Sequence, residues 1–330
     1  MDKTFLKDIY NLFLYKKSSK YDFSLPNCGS IEEKHTNNPY SEDVLAPSFK
    51  KISSSIDENL DYIKARYNSL INSDVDIREF YIMALDKRYK AFLIYIDGMA
   101  NADSINNFIL KPLMLRNRTN TQKKSNQKLF INKENLFNLE DHISNCLLPQ
   151  NKVTTINEFS DVVSDVNVGN CILFVNTLAN AYSVDVKGFK QRSISSPQNE
   201  IIIRGSQEAF VEALRTNTSI LRRLANNENL IIEDTEVGQI SNTKVAICYM
   251  NNIASNDLIA EVQYRINNLE IDSLTSSGQL EQLIQDNSAN LFPQIIATER
   301  PDKAINALFE GRVVVIVNGS PYVLIMPRNF

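Results

Sequence analysis

Ten residues stand out by type and spacing. Arg192, Glu200 and Arg204 lie in KGFKQRSISSPQNEIIIRGS over 187–206, together with Lys187 and Lys190. Arg215, Asn217, Arg222 and Arg223 follow in EAFVEALRTNTSILRR, and Glu299, Arg300 and Asp302 sit in TERPD at 298–302. A guanidinium presents parallel N–H donors that match the two oxygens of a carboxylate, so grouped arginines can grip an anionic group. Arg215 falls three residues after Glu212 and seven before Arg222, which gathers these polar groups near one face of a helix. Two readings stay open from residue types alone. The groups are spaced pairs on a solvated face, worth about 0.2–0.5 kcal/mol each, or they line a cleft and hold a ligand. At 298–302, Pro301 suits the first helical position, but three charges in so short a cap exceed what capping requires. Glu299 and Arg300 are placed to bridge to the 187–206 stretch, as a structural ion pair or as a ligand contact.

Other chemistry is poorly supplied. The two histidines, His35 and His142, sit in a linker and on a polar helix face, with no nucleophile–base–orienter arrangement. There is no GxxxxGK[ST] loop and no GxGxxG after a strand, and Cys28, Cys146, Cys171 and Cys248 lack metal-ligand spacing. The four thiols read as reduced, in a cytosol-like compartment. Asp97-Gly98, at a strand end, reads first as a turn former. No enzyme, metal or cofactor is expected. A net charge of −4 argues against nucleic acid as partner. Apolar runs such as Ala91–Ile96 and Val313–Val317 fall far short of the roughly 20 residues of a membrane helix.

The elements that must position these groups are written twice. Residues 1–17 carry a weak amphipathic helical pattern with four lysines, and 18–50 read as a linker. Ser55 and Glu58 have capping-box spacing ahead of a helix over 55–72. Strands at 77–85 and 90–96 follow, then helices at 102–115 and 134–148, a short strand at 152–156, a helix at 157–168 and the hairpin CILFVNTLANAYSVDVKG. The same order recurs as a helix over 206–225, strands at 230–237 and 243–250, helices at 255–267 and 277–286, and a short strand at 294–297. A helix at 301–310 and the hairpin GRVVVIVNGSPYVLIMP complete it. Asp103-Ser104-Ile105 aligns with Asp257-Leu258-Ile259 at an offset of 154, and Gly169 and Asn176 align with Gly311 and Asn318 at an offset of 142. The partly continuous Val/Ile pattern of the closing hairpin at 311–327 predicts strands covered on both faces. The expected fold is α/β: two similar subdomains, from internal duplication, with a cleft between them. Their bounds are 51–187 and 206–330, with 188–205 as connector and 1–50 as a mobile arm and linker.

These segments resemble the N-terminal soluble region of the A subunit of nutrient germinant receptors, the GerA family of endospore-forming bacteria. The likeness is carried by KGFKQRSISSPQNEIIIRG, EAFVEALRTNTSILRR, VGQISNTKVAICYM and FPQIIATERPDKAINALFEGRVVVIVNGSPYVLIMP, with YIDGMAN and ILKPLML upstream. Ser206 and Leu224 depart from the family's usual proline and basic residue. The resemblance implies a subunit of the spore inner membrane, with this region on the core (cytoplasmic) side and a membrane region continuing beyond Pro327. It implies B and C subunits as partners, other A subunits among them, and a small nutrient, an amino acid or sugar, as candidate ligand. It also implies a head reminiscent of solute-binding proteins. The ten residues above are then expected at the interface of the two subdomains. The alternative from the same resemblance is an assembly and relay module that binds no small molecule.

Overall fold

The computed structural model describes residues 50–85, 87–114, 138–188, 200, 207–286 and 293–328. The amphipathic arm, most of the linker, the basic loop after 114, Arg192 and Arg204 lie outside them.

The first repeat opens with α1 (Ile56–Arg66), whose Ile56, Leu60 and Ile63 fall on one stripe and are buried. Ser55 occupies the cap position, but its side chain makes no capping bond. The backbone N–H of Ile56 is met instead by Asn176 Oδ1 at 3.4 Å, from a turn far along the chain. Strands β1 (Val75–Ala84) and β2 (Lys87–Ile96) form an antiparallel hairpin in register from Val75↔Ile96 to Ala84↔Lys87. Helix α2 runs Ala102–Ile105, widens into a π turn over Asn106–Leu110 and closes as Lys111–Met114. Helix α3 is Leu139–His142 with a π turn at Ile143–Leu147. Then come β3 (Val153–Ile156), α4 (Phe159–Asn167), β4 (Cys171–Val175) and β5 (Ala181–Val184).

The strand order of this sheet is β1-β2-β4-β5-β3. Alternation along β2 sends Phe92, Ile94 and Ile96 to one face and Ala91 and Leu93 to the other. The first set packs against Ile56, Leu60 and Ile63 of α1 and Phe159, Val162 and Val166 of α4. The second packs under Ile105, Ile109 and Leu113 of α2 and Leu139, Ile143 and Leu147 of α3. The sheet is therefore the middle of three layers, and every residue of β4 and β5 is buried, Ser183 included.

The second repeat has α5 (Leu214–Ala225), β6 (Leu230–Val237), β7 (Thr243–Met250), α6 (Asn256–Asn267), α7 (Ser277–Ile284), β8 (Ile296–Thr298), α8 (Pro301–Phe309), β9 (Val313–Val317) and β10 (Val323–Met326). Its sheet order, β6-β7-β9-β10-β8, is that of the first sheet element for element. The equivalence reaches individual hydrogen bonds. Asn318 Oδ1 accepts from Leu214 N at the start of α5 (3.2 Å), as Asn176 Oδ1 does from Ile56 N. Gly319 N donates to Glu212 O and Thr177 N to Ser54 O; Asn318 N donates to Lys244 O and Asn176 N to Lys90 O. Gly169 and Gly311 both adopt left-handed φ, +98° and +81°. A Cβ on them would stand 3.2 Å from Met99 O and 3.1 Å from Ile253 O. Met99 and Ile253 are themselves separated by the 154-residue offset read in the sequence. The internal duplication is thus written in backbone geometry as well as in element order.

Contacts group the chain into two units, Glu42–Ile194 with Arg215–Glu233, and Ser195–Leu214 with Asp234–Phe330. Helix α5 beyond its first residue, and the start of β6, therefore belong with the first sheet. The helix expected from 206 begins at Leu214 instead. The backbone before it is engaged elsewhere, with Phe210 N on Glu299 O (2.9 Å) and Glu212 O on Gly319 N (2.8 Å).

Candidate functional site

The candidate residues fall into two groups, one on each unit. On the first unit, α5 carries Arg215, Asn217, Arg222 and Arg223. Its high amphipathicity comes from Leu214, Ile220 and Leu221, all buried, with basic residues in the last turn. Arg222 does not face solvent. It is 2% exposed and Asp74, its partner, is 0% exposed. The fork is bidentate: Nε donates to Asp74 Oδ2 and Nη2 to Asp74 Oδ1, both at 2.7 Å. Nη1 donates to Leu230 O and Nη2 also to Asn72 Oδ1, again at 2.7 Å. Asn72 is engaged in turn, accepting from Ile232 N and donating to Tyr67 O. A buried charge pair is tolerated when its other polar atoms find partners, and here every guanidinium nitrogen has one. Asn217 is buried too, and Arg223 stands exposed on the helix.

Arg215 lies on the same face two turns earlier and bonds into the same stretch. Its Nη2 donates to Ser73 O at 3.3 Å, and its Nε lies 3.3 Å from Asp97 Oδ2. Both members of this pair are partly open to water. Asp97, read from the sequence as a turn former, follows β2, and its N–H donates to Asp74 O. Asp76 stands across the hairpin from Tyr95. Burial pushes the Asp76 carboxyl above the usual carboxylate range; Asp97 and Asp74 add to this, while the Tyr95 hydroxyl and Arg215 oppose it. Burial, with Asp76 and Asp97 beside it, pushes the Tyr95 phenol up as well. Arg215, Asp97, Asp76 and Tyr95 thus combine one guanidinium with two carboxylates at a half-open surface.

On the second unit, Glu200, Glu299, Arg300 and Asp302 gather at the start of α8. Glu200 Oε2 accepts from Lys303 Nζ at 2.7 Å and from Thr298 Oγ1 at 3.1 Å. Thr298 Oγ1 accepts in turn from Arg300 N. Arg300 forks onto Asp302, which it holds below the usual carboxylate range. Glu299 is buried, and its carbonyl accepts from Phe210 N. From 298–303 to the connector, Lys303 and Thr298 bond to Glu200, and the charge of Glu200 also acts on Arg300. Sequence reasoning missed Lys303 and Thr298, and it missed Asp74 and Asn72. Among NSDVD at 72–76, which reads as a turn, nothing local marks a partner 148 residues away.

Two α/β repeats of the same strand order make up the described chain. The crystal structure of the N-terminal domain of the A subunit of the Bacillus megaterium spore germinant receptor GerK3 is similar, with a TM-score of 0.60 and 29% identity, over 86% of this chain and 98% of that one. The model of the Bacillus/Clostridium GerA spore germination protein family matches residues 61–330, and the chain belongs to that family. It is 33% identical to spore germination protein B1 of Bacillus subtilis (strain 168) over 280 residues, 84% of this chain and 54% of that protein. Spore germination protein KA of the same organism is 33% identical over 281 residues, 84% of this chain and 48% of that protein. The chain therefore spans about half the length of these relatives. No helix among the described residues is long and apolar enough to cross a membrane.

Proposed function

We propose that this chain is the water-facing head of a germinant receptor A subunit, taking part in nutrient sensing and passing the signal to a membrane region during spore germination. The observation that carries this is the match to the GerK3 A-subunit domain, which spans nearly all of that domain at 29% identity. In this reading the head works on the spore-core side of the inner membrane with B and C subunits. The group best suited to meet a nutrient is Arg215 with Asp97 and Asp76. An amino acid presents a carboxylate to the guanidinium and an ammonium to the carboxylates. Arg222 is not a ligand contact, because its donors are consumed inside the unit.

That internal commitment favours a second reading, in which the head is an assembly and relay module. NMR titration of the isotope-labelled chain with a panel of amino acids and sugars separates the two. Under the sensing reading, one nutrient gives saturable shifts at Asp76, Asp97 and α5, and Arg215→Ala abolishes them with little change in melting temperature. Under the assembly reading, no nutrient gives saturable shifts, and Arg215→Ala in the full-length subunit lowers the amount of receptor complex.

A further inference from the structure

The turn between β9 and β10 carries a reactive pair. Asn318-Gly319 is the only Asn-Gly step in the sequence. Asparagine is thermolabile because the backbone nitrogen of the next residue can attack its side-chain carbonyl carbon. Glycine leaves that approach uncrowded. Both residues are exposed, and nothing lies within 4 Å of the place a Cβ on Gly319 would take, so water reaches the pair freely.

The fold restrains the reacting groups. Gly319 N, the nucleophile, donates to Glu212 O at 2.8 Å, and Asn318 Oδ1 accepts from Leu214 N at 3.2 Å. Gly319 N cannot turn towards Asn318 Cγ while its N–H is committed to that carbonyl. Both partners belong to 207–214, within the same unit. Residues 207–213 form neither helix nor strand, and buried Phe210 ties them down, its N donating to Glu299 O at 2.9 Å. A stretch held this way opens at less cost than the sheet beneath it.

The first repeat supplies an internal comparison. Asn176 and Thr177 make the same two bonds, Asn176 Oδ1 to Ile56 N and Thr177 N to Ser54 O. The backbone matches as well, with φ +77° at Thr177 and +89° at Gly319. The branched side chain of Thr177 crowds its own nitrogen, so the same turn is chemically quiet there.

We propose that Asn318 is a site of spontaneous deamidation, exposed to reaction when 207–214 lets go of the turn. Gly319 N then bonds to Asn318 Cγ, the Cγ–Nδ2 bond breaks, and ammonia leaves with the proton that Gly319 N gave up. Water opens the resulting succinimide to aspartate or isoaspartate. Aspartate keeps an acceptor for Leu214 N and adds a negative charge that the start of α5 favours. Isoaspartate lengthens the backbone by one carbon and shortens the side chain, so the bond to Leu214 N is lost. The modification records openings of the segment that leads into α5. It does not depend on nutrient sensing, and either can fail without the other.

Incubation of the whole chain, folded and in urea at one pH, tests this, with deamidation read by peptide mass spectrometry. In urea Asn318 deamidates and Asn176 does so at least about tenfold more slowly, as expected of a β-branched neighbour. Exchanging the neighbours, Gly319→Thr and Thr177→Gly, reverses that order in urea, where folding plays no part. In the folded chain Asn318 slows by the factor that protects the Gly319 amide from hydrogen exchange, to within about threefold, because both need the same opening. Phe210→Ala speeds both processes in the folded chain by a common factor. Deamidation of the folded chain at or above the urea rate, none in urea, or a folded rate unrelated to Gly319 protection overturns the proposal.

Discussion

At the scale of residues, the Arg222–Asp74 pair and the Asp76 carboxyl behave oppositely. Arg222 is enclosed with its donors matched, so truncating it strands a buried carboxylate. Arg222→Ala is expected to cost about 3–5 kcal/mol, read as a lowered midpoint in urea unfolding, and Arg222→Lys recovers only part of it because lysine lacks the fork. Asp76 lies on the exposed side of β1, and its folded carboxyl holds its proton more tightly than the unfolded one. Its contribution to stability is therefore present below the ordinary carboxylate range and lost as pH rises through the raised folded value. Asp76→Asn should accordingly stabilise the protein at neutral pH, with the gain vanishing in acid. Urea unfolding of both proteins across that range checks the sign; a gain that grows towards acid refutes it.

At the scale of elements, the paired asparagines and glycines show what duplication preserved. Asn176 and Asn318 each tie a helix start to a distant hairpin turn, so a single side chain sets where α1 and α5 begin. Asn318→Ala is expected to cost about 1 kcal/mol, the usual worth of a helix-cap bond. Gly311→Ala combines left-handed strain of about 1–2 kcal/mol with a Cβ too close to Ile253 O. Both are measured as shifts in the thermal midpoint, and Gly169→Ala should match Gly311→Ala to within a factor of two. Element order and two-face burial were legible in the sequence, because apolar periodicity and the recurring Gly and Asn mark them locally. The start of α5 was not legible. Residues 206–213 have helical composition, yet Phe210 and Glu212 give their backbone groups to Glu299 and Gly319. The capping box at Ser55 did not form either: its side chain makes no capping bond, and Asn176, 120 residues away, takes the first helical N–H at Ile56 instead.

At the scale of the whole molecule, the candidate site was only half legible. Residue types picked out α5 and the TERPD segment, but not that Arg222 is interior, nor that Asp97 and Asp76 complete the group around Arg215. Those facts depend on Arg215–Glu233 grouping with the first unit, which no local pattern records. If a nutrient acts here, moving a receptor from 1:99 to 99:1 between two states takes about 5.5 kcal/mol of differential binding. One partly exposed ion pair supplies much less, so several contacts or several subunits must act together. The most direct test is the rate of nutrient-triggered germination in spores whose full-length subunit carries Arg215→Ala, at receptor amounts matched by immunoblot. The sensing account predicts a germination rate at least about tenfold lower at limiting nutrient, the equivalent of about 1.4 kcal/mol of lost binding. An unchanged rate at matched receptor amount would contradict it.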